Sequence, residues 1–111
     1  MMVDEQDAFL SDVAMLIRKA HELGFKISAG EMWRTQQQQE IYFKTGRSKT
    51  MRSKHLDRLA FDLNFFLDGK VVGDKATLQT LGDWWESIGP KNRWGGNFTS
   101  FVDCPHFERN L

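Results

Sequence analysis

Two of the chain's three histidines stand in company that could do chemistry. Ser53-Lys54-His55 leads through six residues to Asp62, and Asp103-Cys104-Pro105-His106 lies close to the C-terminus. Imidazole nitrogen and carboxylate oxygen are donors that zinc favours. A catalytic zinc site takes three protein ligands and leaves a tetrahedral position to water. His55, Asp62 and His106 make such a set. Two neutral imidazoles and one carboxylate leave net positive charge on the ion, which can bring the pKa of bound water to about 7. Hydrolysis by this route also needs a base that is not itself a ligand. Asp103, three residues before His106, is the candidate. Spacing alone leaves blander readings open, because a histidine with an aspartate seven positions on also arises as a surface ion pair or by coincidence.

The elements that must carry these residues follow from periodicity. From Asp4 to Leu23, Phe9, Val13, Leu16, Ile17, Ala20 and Leu23 recur at steps of three and four, predicting a helix with one apolar face. Phe25 to Trp33 begins with the alternation of a short strand. Thr35 with Gln38 forms a capping-box pattern ahead of a helix over Gln36 to Lys44. Arg47 to Lys54 is polar, basic and aperiodic, and reads as a loop. Ala60 to Leu67 is rich in strand formers, and Asp68-Gly69 turns it into a second strand, Lys70 to Val72. Within the first of these strands Phe61, Leu63 and Phe65 share one face and Asp62 and Asn64 the other. A gap of seven would put His55 and Asp62 on opposite faces of one continuous strand, so His55 belongs in the loop that enters it. Lys75 to Ile88 reads as a helix with Leu78, Leu81, Trp85 and Ile88 in one stripe, ended by Gly89-Pro90. The aromatic, glycine-containing remainder predicts a last strand near Phe98 to Val102. Together these predict an α+β fold, two or three helices on a small, mainly antiparallel sheet that carries the site at one edge.

With 111 residues, 41% of them hydrophobic and nine of them Phe, the chain has the size and core material of a single domain over 1–111. Fifteen basic and fifteen acidic side chains cancel, so no global field draws it to nucleic acid or an anionic membrane. No apolar run is long enough to span a bilayer. The N-terminal MMVDEQDAFLSDV has acids where a signal peptide carries positive charge, which predicts synthesis in the cytoplasm without a signal peptide. The lone Cys104 excludes an internal disulfide.

The motifs resemble those of the zinc peptidases that include the D-alanyl-D-alanine dipeptidases and carboxypeptidases and the phage L-alanyl-D-glutamate endolysins. Ser53-x-His55 with Ala60-x-Asp62 resembles the family's first metal motif, and Asp103-x-x-His106-Phe107-Glu108 its second, where the endolysin branch carries Asp as base. Trp33-Arg34-Thr35 with Gln38, and Trp94-Gly95-Gly96 with Phe98, resemble two further family stretches. The resemblance implies a hedgehog/D-Ala-D-Ala-peptidase-like fold and a Zn2+ cofactor held by His55, Asp62 and His106. It also implies Asp103 as base, Arg34 as the oxyanion donor and Ser53 as a substrate-binding hydroxyl. Gln38 reads as a helix cap before a substrate contact, while Trp94, followed by two glycines, reads as a residue lining a groove. Cys104 is a non-ligand in this reading, although a thiolate binds zinc well. Many relatives carry a glycine between the His and the Ala of the first motif, where this chain has Leu56-Asp57-Arg58-Leu59.

The implied activity is cleavage of the L-Ala-D-Glu bond in the peptidoglycan stem peptide by a monomeric phage or prophage lysis enzyme that reaches the cell wall after release. No nucleic acid or membrane is expected as a partner. A D-Ala-D-Ala carboxypeptidase or dipeptidase is the nearest alternative, and a non-catalytic zinc module, as in the related hedgehog domain, is the second. Lys44, Arg47, Lys49, Arg52, Lys54 and Arg58 form a basic stretch that reads as a solvated face, with attraction to nucleic acid or to anionic cell wall as its competitor.

Overall fold

Residues 1–111 are described by a computed structural model. Helix α1 (Met2–Glu22) leads into strand β1 (Lys26–Ala29), helix α2 (Gln36–Lys44), a 3-10 turn (Lys54–Asp57) and the long strand β2 (Ala60–Leu67). There follow β3 (Lys70–Val72), α3 (Lys75–Ser87), β4 (Asn92–Trp94), a second 3-10 turn (Gly95–Asn97) and β5 (His106–Arg109). The fold is α+β, with a small antiparallel sheet and three helices, as the sequence predicts.

Strand β2 is the spine of the sheet. Its N-terminal end pairs with β5 and its C-terminal half with β1 on one edge and β3 on the other, giving the order β1-β2-β5-β4 with β3 hydrogen-bonded to β2. The alternation read from the sequence is obeyed. Phe61, Leu63 and Phe65 are buried with Phe9, Val13, Leu16 and Ala20 of α1 and with Leu78, Leu81 and Trp85 of α3. Edge-to-face contacts knit this core, with centroids 5.9 Å apart for Phe9–Trp85, 5.8 Å for Trp85–Phe107 and 6.0 Å for Phe65–Phe107. Each adds about 0.5–1.5 kcal/mol to what area burial supplies. Helix α3 begins where Asp74 accepts from the Thr77 amide at 2.9 Å, satisfying a free N–H of the first turn.

Two strand boundaries depart from the sequence reading. No strand forms over Phe98 to Val102, where Phe101 and Val102 stay exposed; the last strand lies instead at His106–Arg109. Its outward positions carry His106 and Glu108, so the apolar alternation that reveals β2 is absent from it. Strand β1 stops at Ala29, but its pairing continues irregularly. The Gly30 amide donates to the Asp62 carbonyl at 2.8 Å, and the Asp62 amide to the Glu31 carbonyl at 2.9 Å.

Trp94, fully buried, wedges against α3 at Gly82, where an added Cβ would lie 2.1 Å from two carbons of its indole. Alanine at this helical position gains about 1 kcal/mol of propensity, but overpacking a closed core costs up to about 3 kcal/mol. Gly82→Ala is therefore expected to destabilise the protein by about 2 kcal/mol in urea unfolding, and a stabilised variant would contradict the packing described.

Candidate active site

Register brings the first two candidates together. Asp62 and His106 are directly opposed across β2 and β5, on the sheet face turned away from α1 and α3. His55 arrives from the 3-10 turn before β2. The Ser53 hydroxyl opens that turn by accepting from the His55 amide at 3.2 Å, and Arg58 closes it at φ 60°, ψ 34°. This is the left-handed conformation that glycine adopts freely and other residues adopt at a cost. Arg58 bears about 1–2 kcal/mol of steric cost there, partly offset by its guanidinium lying 4.7 Å above the Trp33 ring.

Both imidazoles are aimed by a second partner. The Met32 carbonyl can only accept, so at 2.8 Å it fixes the proton of His55 on Nδ1 and leaves Nε2 free. His106 donates from Nε2 to the Glu108 carboxylate at 2.7 Å, which turns Nδ1 inward. Asp62 Oδ1 lies 3.3 Å from His55 Nε2 and 3.3 Å from His106 Nδ1, and the three donor atoms lie within 4.8 Å of one another. Two donors at tetrahedral positions around zinc, each about 2.0–2.1 Å from it, are separated by about 3.3 Å. His55 Nε2 and Asp62 Oδ1 are buried without a hydrogen-bond partner. Such an atom costs about 1–3 kcal/mol when nothing meets it. The three residues thus fit a metal ion.

Electrostatics point the same way. Burial pushes the Asp62 carboxyl up, but His106 and His55 more than reverse this and hold it well below the usual carboxylate range. Burial disfavours a charged His106, yet Asp62 and Glu108 raise it to about 9. A pocket that holds a carboxylate ionised and draws a proton onto a buried imidazole is one that attracts a cation.

Asp103 stands beside this trio. Its Oδ2 is 3.9 Å from His106 Nδ1, and its side chain is 39% exposed, so solvent reaches it. Burial raises its pKa, the Asp62 charge acts in the same direction, and the histidines and Arg34 oppose. The turn carrying it closes on Gly95, whose carbonyl accepts from the Asp103 amide at 2.9 Å. A Cβ at Gly95 would lie 2.1 Å from the Asp103 carbonyl oxygen, so the approach requires glycine.

Arg34 lines the same cleft, a space of about 640 Å³. It is clamped from three sides. Its Nε donates to the Glu31 carboxylate, its Nη1 to Gln39 Oε1 at 2.7 Å, and its guanidinium lies 4.7 Å from the centre of the Tyr42 ring. Tyr42 in turn donates its hydroxyl to Glu31 at 3.0 Å. Gln39, 0% exposed, also donates to Ser48 Oγ at 2.9 Å and to the Thr50 carbonyl at 2.6 Å.

Two sequence assignments are corrected here. Gln38 does not reach the cleft. Its backbone N–H donates to the Thr35 hydroxyl at 3.1 Å, which is the capping half of the expectation, and the buried glutamine of the run is Gln39. Four consecutive glutamines give no periodicity by which to choose among them. Trp94 does not line a groove either. It is wholly within the core, donating from Nε1 to the Cys104 carbonyl at 2.8 Å, and the cleft aromatics are Tyr42, Phe98 and Phe101. Cys104 is buried in the hydrophobic core, its thiol pushed up by burial, and is not among the converging donors. Ser53 lines the cleft, as do Arg47, Lys49, Arg52 and Lys54 of the basic stretch; Lys44 and Arg58 do not. Glu31, Gln39, Tyr42 and Glu108 are the contributors the sequence reading missed. Glu108 alone had a visible signal, lying two residues from His106 and so on the same strand face.

A converging His/Asp/His trio, an adjacent carboxyl and a clamped arginine share one cleft, an arrangement of the kind that metal-dependent hydrolases use. The chain belongs to the D-alanyl-D-alanine carboxypeptidase family, whose profile matches residues 46–109. It is 35% identical over 91 residues to the L-alanyl-D-glutamate peptidase of Listeria phage A118. That match covers 78% of this chain but spans only 31% of the relative's length. The fold is similar to the crystal structure of the L-Ala D-Glu endopeptidase ChiX of Serratia marcescens. The TM-score is 0.70 at 25% identity, with 90% of this chain and 79% of that one covered.

Truncating Gln39 removes three hydrogen bonds from a buried amide and leaves Arg34 without one of its anchors. Gln39→Ala is expected to cost about 2–3 kcal/mol. Urea unfolding checks this, and a loss below about 0.5 kcal/mol would mean that the amide is not the tie described.

Proposed function

We propose that this chain is a zinc-dependent peptidoglycan peptidase that cleaves the bond between L-alanine and D-glutamate of the stem peptide, acting on the cell wall as a phage or prophage lysis enzyme. The observation that carries the reading is the pair of buried, unpartnered donor atoms, His55 Nε2 and Asp62 Oδ1, facing His106 Nδ1. The donor chemistry suits zinc, and the names of both relatives supply the bond. Zinc held by His55, Asp62 and His106 would supply Lewis acidity that makes water a nucleophile near neutral pH.

The chain's own residues do the rest. Asp103, solvent-reachable and not a ligand, takes the proton from the attacking water and passes it to the leaving amine as the C–N bond breaks. Its raised pKa suits a group that must both accept and return a proton. Arg34 receives the negative charge that develops on the scissile carbonyl oxygen. The clamp of Glu31, Gln39 and Tyr42 means that this donor is already aimed before substrate arrives. Glu108 and the Met32 carbonyl keep the imidazoles in the ligating tautomer and orientation.

Metal analysis of the purified protein and mass spectrometry of digested stem peptides test the reading. Products split between alanine and glutamate are expected, whereas release of terminal D-alanine would assign the carboxypeptidase alternative. Asp103→Ala is expected to keep its zinc and lose about 10²–10⁴-fold in kcat/KM. A native, zinc-loaded protein that hydrolyses no muropeptide would leave only the non-catalytic module. Glu108→Ala is expected to weaken zinc binding by about 10–100-fold in competition with a chelating dye, and unaltered affinity would remove Glu108 from its supporting role.

A further inference from the structure

The cleft carries more positive charge than the proposed chemistry uses. Arg47, Lys49, Arg52 and Lys54 all line it, and none of them has an acidic side chain within ion-pair distance. The acids that share the cleft are already engaged. Glu31 is held by Arg34 and Tyr42, Asp62 faces the two histidines, Glu108 holds His106, and Asp103 is the proposed base. In a chain with fifteen charges of each sign, four uncompensated cations on one wall of one cleft are a local concentration of charge.

This wall is also fixed in place. Gln39 ties it to the Arg34 anchor through Ser48 and Thr50, and the Arg47 and Ser48 amides donate to the Tyr42 carbonyl at 2.9 and 3.1 Å. The Tyr42 ring is shared by two guanidiniums, with Arg34 at 4.7 Å and Arg47 at 5.9 Å from its centroid. One aromatic side chain therefore sets the spacing between the proposed oxyanion donor and the nearest cation of the wall.

We infer that the Arg47–Lys54 wall is a carboxylate-binding subsite, and that it selects peptides bearing a free carboxylate on the residue beside the scissile bond. The inference rests on the peptidase reading above and deepens it. A glutamate on the leaving side has two carboxyls, so whichever one continues the chain, the other remains beside the scissile amide. Left ionised, it meets cations that lack acidic partners; capped as an amide, it loses its charge and offers them only a neutral carbonyl acceptor. Guanidinium and ammonium groups recognise carboxylate through charge-assisted hydrogen bonds, which are the stronger kind.

The zinc-loaded full chain is presented with two synthetic stem peptides that differ only in whether the free carboxyl of the D-glutamate is a carboxylate or a carboxamide. The carboxylate peptide is expected to be favoured about ten-fold or more in kcat/KM, the scale of one hydrogen bond to a charged group. In the triple variant Arg47→Gln, Lys49→Gln, Arg52→Gln that ratio is expected to fall towards one. All three side chains are exposed, and circular dichroism and zinc content verify that the variant is folded and loaded. Equal cleavage of the two peptides by the native protein, or an undiminished ratio in the variant, overturns the subsite and leaves the peptidase standing. Cleavage of neither peptide overturns the peptidase reading and the subsite with it. Salt-sensitive retention on DNA together with equal cleavage would assign the wall to nucleic acid instead.

Discussion

The opposition of Asp62 and His106 across β2 and β5 is the constraint around which the site is arranged. Side chains alternate along a strand, so a slip of one residue would send the carboxylate and the imidazole to opposite faces of the sheet. What prevents the slip lies on the other face. Phe61, Leu63 and Phe65 of β2 and Phe107 of β5 are locked into a core with α1 and α3, and any change of register would expose these groups to water. The hydrophobic packing of the helices therefore determines where the polar donors stand. The third donor, His55, is delivered by a turn that the Ser53 hydroxyl opens and that β2 continues from.

Around the three donors lies a layer whose function is orientation. A buried imidazole can present either of its two nitrogens, and the choice is made by what the other nitrogen meets. For His55 the determinant is a backbone carbonyl at Met32, reached because the segment after β1 continues to pair with the start of β2. For His106 it is Glu108, two residues along the same strand and therefore on the same face. The carboxylate also draws a proton or an ion towards that imidazole, as does Asp62, so the region is tuned for positive charge although burial alone opposes it.

How much of this was legible in the sequence depended on whether a residue's role left a local trace. Strand β2 was legible because its buried face alternates with a polar one, and the trio because its donor types suit zinc and its two motifs resemble those of a zinc peptidase family. Strand β5 was hidden for the same physical reason that it matters. Its outward positions hold His106 and Glu108, so it shows no long apolar alternation, while Phe98 to Val102, richer in apolar residues, is a loop. The two glycines that follow Trp94 suggest an open groove beside its ring. Gly82, Gly95 and Gly96 are instead spaces into which that ring or the Asp103 turn packs. Gln39 could not be told from Gln38 without knowing which way α2 turns relative to Arg34.

The division of labour between sheet and loop has a consequence for how such a fold can change its substrate. Asp62 and His106 are borne by strands, whose geometry the core enforces, whereas the cations facing the proposed substrate sit on the Arg47–Lys54 loop, attached through Gln39 and Tyr42. A rigid element holds reacting groups to the tolerance that chemistry needs, and a loop can alter its side chains without disturbing a core. The same donor set could then serve different bonds if only the wall changed. That separation is consistent with a family described by its carboxypeptidases whose profile fits a chain similar to two proteins named for the L-Ala-D-Glu bond. Gln39 is the joint between the two parts. It touches the proposed oxyanion donor with one end of its amide and the wall with the other, so a change in the loop's path reaches Arg34 through this buried side chain as well as through the Tyr42 ring.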